Sequence, residues 1–433
     1  MRRSGWSLCA CALVLCCLVP TVADAATEQQ KQAAIDKGLA YLIRTQRSDG
    51  SWYHSNNGTT AATASAAMAF IEEGYLPDQG GTAYEQAVYK ACNYVLNQAY
   101  VQGPGGAADG IYFWGGSTNR NVYTTGLAGP MVYALGNALG KNTTVGMGNA
   151  TASGLTYYDL MSEMKDWWVW GQNADGGWRY YANYGDSDNS TAQWGGLGLL
   201  QAQSWGISVP QTTLDGLMSW VREVQHDGGW YDGASGYDTP NNYLNVSKTG
   251  GLLLELDAVG AVEGTDTEVD RAIAYIDRDW NQGLSGWYGN IGHPYAMWAV
   301  YKGLQLYGYL QTNDNGTPGD PTDDFAVGTG IPNAQDGITI GQDWAAQTAA
   351  ADDWYAHYCD WLVNNQTATS YGDGYWAYSS WEAPLTTGWY VNILNASPVV
   401  QSAPPPIPEP MTLLGVLFGV SGMAGYIRRR RAA

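Results

Sequence analysis

The sequence predicts an all-α body in which six helical hairpins close into a ring. Three observations point there. A short aromatic turn recurs six times, as DGSW ending at Trp52, DGIYFW at Trp114, DGGW at Trp178, DGGW at Trp230, GLSGW at Trp287 and GDGYW at Trp376. Each copy follows a helical stretch; Leu214, Leu217, Met218 and Val221, or Val269, Ile273, Ile276 and Trp280, recur at the three- and four-residue steps of an amphipathic helix. After each copy comes a polar loop and a second helix crowded with small residues, as in TTAATASAAMAFIEEGY and NVSKTGGLLLELDAVG. Units of this kind bury their apolar faces only by stacking on one another. Ala and Gly on the second helices permit close approach at small radius, so these helices are expected inside. With no polar cap at either end, a closed double ring is expected rather than an open solenoid.

The ring is assigned to residues 26–397, and the segments on either side are of a different kind. Arg2 and Arg3 precede an apolar run from Leu8 to Val19, and Ala23-Asp24-Ala25 has the small-x-small pattern cut by signal peptidase. Residues 1–25 therefore read as a secretory signal cleaved after Ala25, since the run is shorter than the about 20 apolar residues of a membrane span. Residues 398–407 form a proline-rich linker. Beyond it, the apolar stretch 411–427 gives only ~26 Å of helix against a hydrocarbon core of about 30 Å, enough for a marginal transmembrane anchor. Arg428, Arg429, Arg430 and Arg431 follow directly and are expected to stay cytoplasmic, which places the body outside the inner membrane.

Taken together, Pro408, Glu409 and Pro410, the apolar stretch and the arginines, IPEPMTLLGVLFGVSGMAGYIRRRR, resemble the PEP-CTERM sorting signal of Gram-negative bacteria. The resemblance covers residues 408–431 and implies handling by an exosortase near the Pro-Glu-Pro, after secretion machinery and signal peptidase have acted. A transient stay in the inner membrane and a final place at the cell surface or beyond it would follow.

Charge and cysteine usage bound the partners. Without the two flanking segments the body keeps 14 of 20 basic and 38 of 40 acidic residues, about 24 net negative charges. Nucleic acid and anionic lipid are poor partners for such a surface. Cys92 and Cys359 are the cysteines left in the body, and an oxidising compartment admits either one disulfide between them or two buried thiols.

The turns carry a second resemblance. Lys37-Gly38, Tyr41-Leu42, Gln46, Gly50 and Trp52 match the QW motif of squalene and oxidosqualene cyclases, and Gln172 to Trp178 and Gln225 to Trp230 repeat its second half. Physically, Gln can bond the orphan backbone groups of helix ends, Gly supplies a left-handed turn, and Trp covers the joint between hairpins. The body resembles the terpenoid cyclase and protein prenyltransferase superfamily, which implies an (α/α)6 toroid.

The chemistry of that superfamily does not carry over with the fold. Its cyclases use a DxDD acid, and the nearest match is Asp186-Ser187-Asp188-Asn189, where Asn replaces the last acid. Asp186 and Asp188 are the weak catalytic candidates, and an ordinary helix N-cap explains them equally. The prenyltransferase zinc set is missing: His357, Cys359 and Asp360 lie on one helix, where neighbours point about 100° apart. No metal site is expected, apart from a weak option of Ca²⁺ in the Asp-rich loop 310–343 through Asp314, Asp320, Asp323 and Asp324. A smaller insert, 102–116, is expected to cover one mouth of the ring.

Sugar chemistry is the other class of function. Trp 20 and Tyr 31 against Phe 4 favours rings with a polar handle, suited to stacking on sugars. Hydrolysis would need two facing carboxylates, yet Asp175, Asp186, Asp188, Asp227 and Asp238 offer no distinct pair. The expectation is an exported surface toroid that binds or supports, with surface glycan as a ligand and no cofactor. The alternative is a polysaccharide hydrolase or lyase, and after that a terpenoid cyclase.

Overall fold

The second helix of each hairpin is apolar on every side because it is buried on every side. In the computed structural model, residues 26–55, 58–103, 110–115, 120–280, 289–313, 324–329 and 353–400 are described. Twelve helices lie among them: α1 Glu28–Thr45, α2 Thr59–Glu72, α3 Ala83–Leu96, α4 Asn121–Leu139, α5 Tyr157–Gly171, α6 Asn189–Ser204, α7 Gln211–Val224, α8 Val246–Ala258, α9 Thr267–Arg278, α10 Pro294–Leu306, α11 Trp354–Asn364 and α12 Ala383–Leu394. The signal with Ala25, the sorting segment 408–431 with its apolar stretch, Trp287 and most of the loop 310–343 lie outside the described residues. No helix among the described residues is long and apolar enough to cross a membrane.

The even-numbered helices form the inner layer. α2 packs on α4, α4 on α6, α6 on α8, α8 on α10, α10 on α12 and α12 back on α2, so the ring is closed. Missing side chains allow the approach: a Cβ on Gly250 of α8 would lie 2.5 Å from the Val300 nitrogen of α10. At the closing seam, one on Gly388 of α12 would lie 2.9 Å from the Ser65 backbone of α2. The odd-numbered helices form an outer layer, each amphipathic and burying one face. Several start on a capping box, with Thr27 and Gln30, Thr82 and Glu85, or Thr156 and Asp159 exchanging bonds.

Glutamine ties four of the six outer helices to the next. Gln46 Nε2 donates to the Gly50 carbonyl at 3.0 Å and to that of Ala87 on α3 at 2.8 Å. Gln172 does the same to Gly176 and to Thr213 of α7, and Gln225 to Gly233 and Glu268 of α9. Gln366, which the sequence reading passed over, donates to Ala34 of α1 at 2.7 Å and so ties the last hairpin to the first. Arg44 on α1 also pairs with Asp373 across this seam, at 2.5 and 3.0 Å.

The tryptophans divide into two groups. Trp52, Trp178 and Trp376 are buried, and each indole donates to a carbonyl in the last turn of its own outer helix, at 2.8, 3.0 and 2.8 Å. Trp114 and Trp230, assigned the same place from sequence, are 37 % and 58 % exposed. Phe113 and Ser235 stand there instead: their amides donate to Thr125 and Thr249 of the following inner helix, as the Trp52 amide donates to Thr63. The reason is the position of the turn glycine. Gly50, Gly176 and Gly233 have φ of +89°, +94° and +87°, and a Cβ on each would collide with the carbonyl of Lys90, Gly216 or Arg271 on the next outer helix. The turn of the fourth hairpin is therefore at Gly233, and DGGW bulges out ahead of it.

Three two-stranded ladders depart from the all-α expectation. β1 Ala99–Gln102 pairs with β2 Gly110–Phe113, β3 Leu310–Asn313 with β4 Phe325–Gly328, and β5 Thr367–Ala368 with β6 Gly374–Tyr375. The disulfide option is also corrected: Cys92 on α3 and Cys359 on α11 are free, buried thiols, because α1 packs between these helices. Burial pushes both thiols up to about 12. The body runs past residue 397, since Val399 is buried. Its amide donates to Gln305 Oε1 at 2.8 Å.

Candidate functional site

Each connection reverses the chain, so all six inner helices start on one face, here the near face, and end on the far face. The near face gathers the outer-to-inner loops and the positive ends of the inner helix dipoles. Asp188 is the N-cap of α6, fully buried, because its Oδ1 accepts the Ser190 amide at 3.0 Å and the Ser190 hydroxyl at 2.5 Å. Its Oδ2 lies 3.5 Å from Nε of Arg179. Burial raises this carboxyl, while hydroxyls of Ser190, Tyr237 and Thr191 and the Arg179 charge pull it back. Asp186 is exposed and pairs with the same Arg179. Asn189 is structural: it donates to the Ser235 hydroxyl at 2.7 Å and accepts the Trp220 indole at 2.8 Å.

Residues that sequence reasoning missed surround Asp188. Tyr123 from α4 shares a hydrogen bond of 2.7 Å with the Ser190 hydroxyl, and Tyr180 meets Tyr237 at 2.9 Å. The Arg179 guanidinium sits over Tyr180, Tyr184 and Tyr237 at 5.6, 5.3 and 5.8 Å. Lys248, in the first turn of α8, is 3 % exposed, and burial lowers it to about 7 against the pull of Asp188. His293, the N-cap of α10, accepts the Ala296 amide on Nδ1 at 3.2 Å, and burial with the Lys248 charge holds it down at about 4. A signal was available: Lys248 is a cation in the first turn of an inner helix, the end where the dipole disfavours it.

Beneath this cluster the ring is filled. Trp194 of α6, Trp298 of α10 and Trp389 of α12 meet across the axis, with ring centres 5.0 and 5.9 Å apart. Tyr295 packs against Trp194, Trp381 and Trp389 at 6.0 to 6.1 Å. Deeper in the wall, Glu255 of α8 is fully buried with neither carboxyl oxygen partnered. Burial pushes it well above the carboxylate range. The far end holds a cavity of about 10 Å³ between Met68, Pro130, Gln201, Trp298 and Val399, room for about one water.

The surface of the two faces differs just as much. Tyr53, Tyr100, Trp114, Tyr181, Trp230, Tyr231, Tyr243 and Tyr371 are the large aromatic residues exposed among the described residues. All eight lie in outer-to-inner loops, on the near face. Trp230 is held rather than loose: the Arg278 guanidinium donates to its carbonyl at 3.2 Å and to that of Asp232.

The zinc reading meets little support in the geometry, and the calcium option lies mostly outside the described residues. His357 Nδ1 accepts the Trp280 indole at 3.0 Å, and no group of three or more metal-ligating side chains occurs among the described residues. Asp324 is described, while Asp314, Asp320 and Asp323 are not.

No family model and no curated protein matches the chain. Among solved structures it is similar to an inactive variant of an α-1,6-mannanase, GH76A of Salegentibacter sp. HEL1_6, in complex with α-1,6-mannotriose. The identity is 11 % and the TM-score 0.47, over 85 % of this chain and 98 % of that one. It is also similar to Candida albicans protein geranylgeranyltransferase-I complexed with GGPP, at 11 % identity and a TM-score of 0.28, over 64 % of this chain and 91 % of that one. At this distance neither likeness bears on what the chain does.

Proposed function

We propose that the chain is an exported, surface-sorted toroid whose near face binds glycan. The observation that carries this reading is the confinement of all eight exposed aromatics to the loops of one face. Scattered surface aromatics need no explanation, but a face that collects them beside tyrosine hydroxyls is what a sugar ring stacks and hydrogen-bonds on. The filled axis favours binding at the surface over a deep reaction chamber, and it weighs against an isoprenoid cyclase, whose long apolar substrate must fold inside the ring. Asp188, bonded to Ser190 and beside Arg179, is also poorly placed to protonate an alkene. The test is affinity electrophoresis of the purified chain in gels carrying individual polysaccharides. At least one is expected to retard the chain, and Trp230→Ala with Tyr243→Ala to weaken the retardation tenfold or more; unchanged retardation in that variant refutes the reading.

A second reading, turnover of polysaccharide, is favoured by Asp188 and Lys248, a buried acid and a lysine near neutrality within reach of its field. It predicts release of reducing ends or unsaturated ends by the wild type and none by Asp188→Asn. Turnover retained in that variant removes it.

A further inference from the structure

Asp188, His293 and Lys248 are buried around the axis at the near face, and two of them are compensated. Asp188 accepts two hydrogen bonds from Ser190 and has Arg179 beside it. His293 is held as a neutral ring by the Ala296 amide at its Nδ1. Lys248 is different. Its ammonium donates no hydrogen bond and joins no ion pair among the described residues, although the residue is 97 % buried. It also stands in the first turn of α8, where the Asn245 side chain caps the Lys248 amide at 3.0 Å. A cation there works against the helix dipole.

Burial without a hydrogen-bond partner, a helix N-terminus and, among the described residues, the absence of a carboxylate within ion-pair distance all destabilise a positive charge. An anion from outside would reverse all three at once. The neighbours say what that anion is attached to: Tyr123, Tyr180 and Tyr237 gather hydroxyls around Asp188, whose field reaches Lys248, and the exposed aromatics lie in the loops of the same face. Arg179 is already engaged by Asp186 and Asp188, so one compact ammonium is left, which matches a singly charged group rather than a phosphate.

We propose that Lys248 is the anion-receiving residue of the near face, taking the carboxylate of an acidic sugar unit in a bound glycan. This rests on the reading of that face as a glycan surface. A carboxylate that projects from a sugar ring, as in a uronic acid, carries the single charge that one ammonium can answer, and the exposed aromatics of the same face hold the rings of the same chain.

The experiment compares oligogalacturonate with its fully methyl-esterified form, which keeps the rings and hydroxyls and removes the charge. Calorimetric titration of the full-length chain is expected to show at least tenfold tighter binding of the free acid. Lys248→Met is expected to erase that preference with the ester's affinity unchanged, and Lys248→Arg to keep part of it. Equal binding of acid and ester by the wild type, or a preference that survives in Lys248→Met, overturns the assignment while leaving the glycan face standing. Binding of neither form overturns it together with that reading. Should Lys248→Met not fold, the dimethylamine resonance of Lys248 in the reductively ¹³C-methylated wild type decides: it moves with the acid and stays with the ester, and the reverse defeats the assignment.

Discussion

Lys248 and Lys302 sit in opposite ends of the same ring, and their surroundings differ in one respect. Both are on inner helices, both are buried, and burial lowers both. At the far end the chain supplies its own lid: Lys302 donates to the Ser397 carbonyl at 2.7 Å and hydroxyl at 3.1 Å, and Tyr301 donates to the same carbonyl at 2.7 Å. Glu72 adds an opposite charge whose field reaches the ammonium. At the near end the field of Asp188 reaches Lys248 in the same way, but among the described residues no group accepts a hydrogen bond from its ammonium. Two buried cations thus differ in whether the chain's own groups bond them, and the lesson is that burial alone does not tell a structural charge from a functional one; the partner does.

The sharpest way to break this contrast is at the lid. Val399→Asp places a charge in the buried far mouth and is expected to destabilise the chain by about 2–4 kcal/mol, read by chemical denaturation. A loss under 1 kcal/mol would mean that the far end is not sealed. Next in size is Lys248→Met, which removes an uncompensated charge and is expected to stabilise by about 1–3 kcal/mol at pH 6. The sign follows from the shift: with its folded value lowered to about 7, Lys248 holds fewer protons folded than unfolded between pH 7 and its ordinary value near 10.4. Its penalty is complete below pH 7 and fades as the pH rises, by at most about 1.4 kcal/mol per unit. The advantage of the variant over wild type should therefore shrink from pH 7 to pH 9 in denaturant titrations, and a constant advantage would refute the shift. The smallest effect is at the rim, where Trp230→Ala should stay within about 0.5 kcal/mol of wild type because its indole is mostly in water. A larger loss would return Trp230 to the structural role the motif suggests.

Some of the candidate site was legible and some was not. Asp188 stands in the DSDN segment opening an inner helix, so both its position and its cap were readable from local pattern. Lys248 was readable only as an oddity, because its meaning depends on Asp188, sixty residues earlier, and on His293, on the next inner helix. Gln366 escaped because its glutamine follows α11 without the spacing of the other copies, and its acceptor, Ala34, is at the other end of the chain.

What the sequence alone determined is the hairpin unit and the layer each helix belongs to. Apolar periodicity and small-residue content are properties of single segments, and they act wherever the segment finds itself buried. What only the tertiary structure decided is which residue of a turn meets its neighbour, what occupies the axis, and which charges go unanswered. Ser235 rather than Trp230 meets the inner helix because Gly233 alone can press against the Arg271 carbonyl. Three indoles fill the centre because closure brings α6, α10 and α12 together. Those outcomes depend on distances between segments far apart in the chain, and no local pattern encodes a distance that exists only after the ring has closed.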